Sequence, residues 1–256
     1  MICHLSDNNP LKIQARHIFA NDTESKIKSW FLLISELCDL YNLPSCSYLL
    51  NIPMNKDKFK NLVKLKILDY WQALLRKEAN NLKSLLYFKP EFYSLKFPCK
   101  SFSAANVNRY EIQKLNIQQK MLSGRYRTSM LKRFWTKNKM GTCELDPECS
   151  QTCETISHIL ICCPALSQKR QSLFQDWVTR TDGVINCILS GVLNRTQEQK
   201  TQFILDPLTD PVVIRFTQEY GEYITQKMCC FTRTFCHSIH KERMKILNKN
   251  QFSTSS

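Results

Sequence analysis

Five cysteines and one histidine lie within a single short stretch of this chain: Cys143, Cys149, Cys153, Cys162 and Cys163, with His158 among them. Thiolates and imidazole are the ligands that zinc prefers, four of them in a tetrahedron, and a pair on a turn plus a pair at a helix supplies that geometry. Asp146 and Pro147 favour a turn between Cys143 and Cys149. Thr152 is placed to cap a short helix that has Glu154 in its first turn and presents His158 back to the cysteine turn. The fourth ligand reads two ways. His158 and Cys162 are four apart and share a helix face, whereas Cys163 points about 140° away in a continuing helix. Yet Cys163 precedes Pro164, which pushes it out of the helical region and folds the chain back toward the metal. The favoured set is Cys143, Cys149, His158 and Cys163 around Zn2+, with Cys153 and Cys162 as alternates. The gap between Cys143 and Cys149 is wider than the common two to four residues, so a thiol-rich core turn is the competing reading.

Immediately upstream lies a second kind of chemistry. The chain carries 36 Lys+Arg against 22 Asp+Glu, a net charge of +14, and residues 100–140 hold most of the excess, with Glu111 as their only acid. Arg109, Lys114, Lys120, Arg125, Arg127, Lys132, Arg133, Lys137 and Lys139 are interleaved there with Tyr110, Tyr126, Phe134 and Trp135. Cations contact phosphates and release counterions, and aromatic faces stack on unpaired bases, so RNA or DNA is the expected partner, with the cations and Tyr126 as contacts. The plainer reading is a solvated helix face with aromatic residues turned to the core.

Other chemistries find little support. With 5 glycines the chain has neither a GxGxxG nor a GxxxxGK(S/T) phosphate cradle. It has no Asp-Asp pair for two-metal polymerisation and no HExxH. A zinc hydrolase needs an open coordination position, and four protein ligands close the site despite the nearby Glu154. Cys236 and His240 share a helical face with Cys229, which reads as the thiols and imidazole of an amphipathic helix. No catalytic residue and no small-molecule substrate are expected, and the chain is not read as an enzyme. The remaining cysteines, Cys3, Cys38, Cys46, Cys99, Cys187, Cys229, Cys230 and Cys236, sit in apolar company as small core residues. The start, Met-Ile-Cys-His-Leu-Ser-Asp, lacks a basic segment followed by an apolar one, and no apolar run is long enough to cross a bilayer. A reducing, intracellular setting, nuclear or cytoplasmic, with no membrane partner is expected, and with it free thiols or metal ligands rather than disulfides.

The elements that must position these residues are helical nearly throughout. Thr23 caps a helix with Ile27, Trp30, Phe31, Ile34, Leu37, Cys38 and Tyr41 on one face, ending before Pro44. A longer one carries Phe59, Leu62, Val63, Ile67, Tyr70, Trp71, Leu74, Leu75, Ala79, Leu82 and Leu86 at three- and four-residue steps until Pro90. An irregular connector over residues 90–108 leads to a helix from Asn108 to Leu122, closed by Ser123 and Gly124. A short helical pattern covers Ser129 to Trp135, Pro164 opens another helix, and a last one runs from about Pro211 to Leu247. The expected fold is mainly α: a helical bundle with a small inserted zinc-knuckle-like module. Its parts are a helical region over residues 1–99, a basic helical segment over 100–140, the module over 141–166, a helical region over 167–249 and a disordered tail over 250–256.

Leu122-Ser-Gly-Arg125-Tyr126-Arg127-Thr128, then Cys143 to Cys149, then Glu154-Thr155-Ile-Ser-His158-Ile-Leu-Ile-Cys162-Cys163-Pro164, resembles the carboxy-terminal region of reverse transcriptases from non-LTR (LINE-type) retrotransposons. Asp69-Tyr-Trp-Gln72 to Pro90-Glu-Phe-Tyr93 and Thr232 to Arg243 extend the resemblance with less specific motifs. The resemblance implies a CCHC zinc module downstream of a polymerase, with His158 and Cys163 rather than Cys162 as its closing pair. It also implies a thumb-like origin for residues 1–90, RNA or target DNA as ligand, and a separate polymerase-bearing chain as a further partner. The function expected is that of a non-catalytic nucleic-acid-binding fragment with a structural zinc. The alternative is a zinc-stabilised helical protein-interaction module whose basic stretch meets an acidic protein.

Overall fold

A computed structural model describes residues 4–21, 30–95, 108–129 and 141–253. Thr23, residues 130–135 of the helix expected over 129–135, with Lys132, Arg133, Phe134 and Trp135, then Lys137 and Lys139, and residues 254–256 of the tail lie outside the described residues. The chain is mainly α. Among the described residues there is no strand, only an isolated antiparallel bridge between Thr142 and Cys153. Two compact units divide it, Met1–Lys77 and Glu78–Ser256.

The first unit contains α1 (Pro10–Asn21), α2 (Trp30–Leu40), α3 (Cys46–Asn51) and most of α4 (Lys56–Asn81), which runs on into the second unit. Its core is small: Ala15, Cys38, Cys46 and Leu50 are buried, and Tyr41 meets Tyr70 edge-on with ring centroids 5.1 Å apart. Arg16 ties α1 to α3 by donating to Asn51 Oδ1 at 2.9 Å and also pairs with Asp7. α4 stops at Asn81, short of the expected Pro90: Leu82 is extended at φ −94°, and a single 3-10 turn, Lys83–Leu85, follows.

The second unit is organised by its longest helix. Its helices are α5 (Arg109–Leu122), α6 (Ser167–Arg180), α7 (Gly183–Leu193), α8 (Gln197–Leu205), α9 (Pro211–Tyr220) and α10 (Glu222–Ser253). The helix expected from Pro211 is two, because Gly221 takes φ 76°, a left-handed conformation that breaks it. On α10, Ile224, Met228, Phe231, Phe235 and Ile239 recur at helical spacing and are all buried. Phe174 from α6 meets Phe231 and Phe235, each at 5.4 Å, and Trp177 meets Phe231 at 5.1 Å, the edge-to-face geometry that aromatic quadrupoles favour. Ile185, Ile188, Leu189 and Val192 on α7 and Phe203, Ile204 and Leu205 on α8 complete this core. Gln118 of α5 satisfies the end of α8 by donating Nε2 to the carbonyls of Ile204 and Leu205 at 3.2 and 3.1 Å.

Candidate metal centre

Residues 141–166 form a compact turn and a single helical turn packed on α6 and α10. The cysteine turn is built from backbone hydrogen bonds that its sequence favours. Asp146 accepts from Glu148 N at 2.9 Å and Cys149 N donates to Asp146 O at 3.2 Å, with Pro147 opening a 3-10 turn. Cys143 N donates to Thr152 O at 2.9 Å, closing the loop on itself. The helical turn is capped by Thr155, whose Oγ1 accepts from His158 N at 3.1 Å, so the cap falls on Thr155 and not on Thr152.

The run from His158 to Cys162 is π-helical, and Cys163 N donates to His158 O at 2.7 Å across five residues. That wider turn decides between the two adjacent cysteines. An i to i+5 step sets Cys163 beside His158, and the proline that follows holds Cys163 extended at φ −56°, ψ 120°. Arg170 of α6 fixes the bend by donating to Cys163 O at 2.7 Å.

Cys143, Cys149, His158 and Cys163 are thereby all buried, with one ligand atom from each within 4.8 Å of the others. Two sulfurs each about 2.3 Å from a tetrahedral metal stand about 3.8 Å apart, and the Cys143 and Cys163 Sγ atoms are 3.8 Å apart. His158 Nε2 is buried without a hydrogen-bond partner, an exception among interior polar atoms that a metal bond accounts for. The thiols point the same way. The hydrogen bond from Cys163 pulls the Cys143 thiol down to about 4. Burial together with the nearby Cys143 pushes Cys149 up to about 11, and the same hydrogen bond to Cys143, reinforced by burial, raises Cys163. A second and third thiolate at this spacing need a cation among them. These residues fit a metal ion. Cys153 is exposed and Cys162 half-buried, and neither belongs to the cluster.

Glu154, 2 residues past the loop, is fully buried and has another task than activating water. It accepts from Arg243 Nε at 2.9 Å and Nη2 at 2.8 Å, and from Ser129 N at 2.5 Å. Burial acts to raise its pKa, and the Arg243 guanidinium overcomes this and holds the carboxyl below its usual range. Arg243 also lies over the Tyr126 ring at 5.6 Å, and Tyr126 Oη is 2.9 Å from His240 Nδ1. This bidentate pair ties the metal module to α10. Sequence spacing does not reveal it, since Glu154 and Arg243 are far apart along the chain.

Of the residues expected at a nucleic acid, Arg109, Lys120, Arg125 and Arg127 are exposed. Lys114 and Tyr126 are turned inward and are withdrawn from that set. Lys114 Nζ pairs with Glu111 Oε1 at 2.6 Å in the seam between α5 and α10, where Arg233 takes the other carboxylate oxygen at 3.1 Å. Tyr126 is buried beneath Arg243, so it offers no exposed ring face of the kind expected, and burial pushes its hydroxyl up to about 12. Cys236 is buried in the core and donates to Ile204 O at 3.8 Å, so the Cys236 and His240 face is a packed one. Among the described residues no helix is long and apolar enough to cross a membrane. No family model, curated protein or solved structure matches the chain.

Proposed function

We propose that the chain is a non-catalytic nucleic-acid-binding fragment whose Cys143, Cys149, His158 and Cys163 hold a structural Zn2+, as in the carboxy-terminal region of a LINE-type reverse transcriptase. Three sulfurs and an imidazole are the soft-to-borderline donor set that selects zinc over the oxygen-seeking magnesium and calcium. Four protein ligands leave no position for a substrate, so the metal's contribution is to hold the turn. The observation that carries the nucleic-acid reading is the setting of Arg125 and Arg127. Both are exposed, and they flank Tyr126, which is anchored beneath Arg243, the residue that also grips the metal module. Two guanidiniums held on a fixed turn approach phosphates with less entropy to lose than flexible side chains do.

Two measurements test the reading. Metal analysis of the purified protein is expected to find about one zinc per chain, lost in both Cys143→Ser and His158→Ala; a wild type without zinc removes the site. Binding to labelled RNA and DNA is expected to weaken by roughly 0.7 to 0.9 log units per phosphate contact for each tenfold rise in salt. Arg125→Ala with Arg127→Ala is expected to lower that slope by roughly one unit per lost contact. Retention of an acidic protein in place of both nucleic acids assigns the chain to the interaction-module class instead.

A further inference from the structure

We infer that the cleft between the Lys83–Tyr87 segment and the metal module seats an unpaired nucleotide of a single nucleic-acid strand. This rests on the nucleic-acid reading above and names the place where a base enters. The cleft has a volume of about 1070 Å³ and is lined within the second unit by Leu86, Tyr87 and Ile156 and by the hydroxyl-bearing Thr152, Thr155 and Ser157. Ligand clefts of this kind run to about 300–1,000 Å³, so an open groove of this size takes a nucleotide with part of its neighbours.

Leu86 is the first sign that the cleft is covered in use. It is 68% exposed, the most exposed of the large apolar side chains among the described residues, and it lies at the lining of a cavity. A flat aromatic base supplies the apolar surface that such a side chain lacks, and bases stack on aromatic and aliphatic faces without regard to sequence. The charge around the cleft is the second. Lys83 lines it, and the exposed Arg125 and Arg127 alternate with the lining residues Gly124, Tyr126 and Thr128. Of these cations Lys83 lines the cleft itself, and Arg125 and Arg127 lie on the adjoining segment without lining it. Gln197 and Glu198 also line the cleft and offer acceptors and a donor for the exocyclic groups of a base. A stacked duplex keeps its bases out of such a groove.

The two cationic segments are locked to each other. Gly124 has φ 68°, and a Cβ built on it would collide with the Ser84 carbonyl oxygen. The backbone of Ser84 therefore rests directly on Gly124, which fixes Lys83 relative to Arg125. The metal module supplies Thr152, Thr155 and Ser157, so the ion that holds the module also shapes the cleft.

The test compares a short oligothymidylate with an abasic strand of equal length and charge, and oligouridylate with its abasic analogue, by fluorescence anisotropy against the whole zinc-loaded protein. Removing the bases is expected to weaken binding about tenfold or more, in whichever of DNA or RNA the cleft takes. Leu86→Ala, at an exposed position, is expected to weaken the base-bearing strand several-fold and leave the abasic strand unchanged, with zinc content as wild type. Lys83→Ala is expected to weaken both. Equal, salt-dependent affinity for strands with and without bases overturns the cleft while leaving the electrostatic reading of Arg125 and Arg127 standing. Absence of salt-dependent binding to any strand overturns both.

Discussion

Tyr93 donates its hydroxyl to Asp206 Oδ2 at 2.5 Å, while Asp206 Oδ1 is buried with no partner. An acid so placed is poorly compensated. Burial dominates over the Tyr93 hydrogen bond and raises the Asp206 pKa to about 6 from its ordinary 3.8. The folded protein then binds this proton more tightly than the unfolded chain does, so the contribution of Asp206 to stability is greatest below about pH 4 and is lost as pH rises to about 6. At neutral pH the charged carboxylate costs up to about 3 kcal/mol, from roughly 1.4 kcal/mol per pKa unit. Urea unfolding of Asp206→Asn is expected to show a flatter stability profile between pH 4 and 6 than wild type, because the amide keeps an acceptor for Tyr93 and has no proton to lose. Parallel profiles for the two proteins would remove this assignment. Glu154 shows the opposite outcome for a buried acid, since Arg243 answers both of its oxygens. Nothing in the local sequence separates these two carboxylates; their partners come from distant helices.

At the scale of elements, helices whose periodicity is long and whose ends carry signals are readable in advance. α5 begins after Asn108, whose side chain accepts from Tyr110 N at 2.9 Å, and ends at Ser123 before Gly124. α7 and α8 escape that reading. α7, Gly183–Leu193, is apolar almost all round, so it has no polar face to mark its period, and α8 spans only Gln197–Leu205. Gly221 and Leu82 end helices where apolar spacing alone continues them, because spacing reports a face and not the backbone angle at one residue. Gly124 gives this a measurable form. Gly124→Ala is expected to destabilise the second unit by at least about 1–2 kcal/mol, the usual penalty for an L side chain in the left-handed region, with more added by contact against Ser84 O. Chemical denaturation reads the loss, and a neutral substitution would show that Ser84 gives way easily. Between Cys162 and Cys163, local rules left both ligands open; the π turn and the Arg170 hydrogen bond to Cys163 O select the second.

On the scale of the whole molecule, the second unit has one large apolar core, to which the module of 26 residues (141–166) contributes Leu145, Ile159, Leu160 and Leu166 beside its candidate ligands Cys143, Cys149 and Cys163. Structural zinc contributes roughly 10–16 kcal/mol of apparent binding free energy, and a domain is stable by only about 5–15 kcal/mol. Chelation is therefore expected to lower the thermal midpoint of the protein sharply, with recovery on adding Zn2+ but not Mg2+, whose preference is for oxygen ligands. Cys143→Ser is expected to begin at the low midpoint and respond to neither. A midpoint indifferent to chelator and zinc would mean the four side chains pack without a metal. The sequence by itself determined the mainly α class, through three- and four-residue apolar spacing, and the stretch that supplies the candidate metal ligands, while the choice of Cys163 over Cys162 came from the π turn. It also placed the positive charge next to that stretch. Only the tertiary structure decided which basic and aromatic residues face solvent. Lys114 turns inward because Glu111 lies one turn away with Arg233 across the seam, and Tyr126 because Arg243 covers it. The physical reason is range: helix periodicity is set by neighbours along the chain, whereas the Arg233–Glu111 and Arg243–Glu154 pairs that decide what is buried join residues about a hundred positions apart.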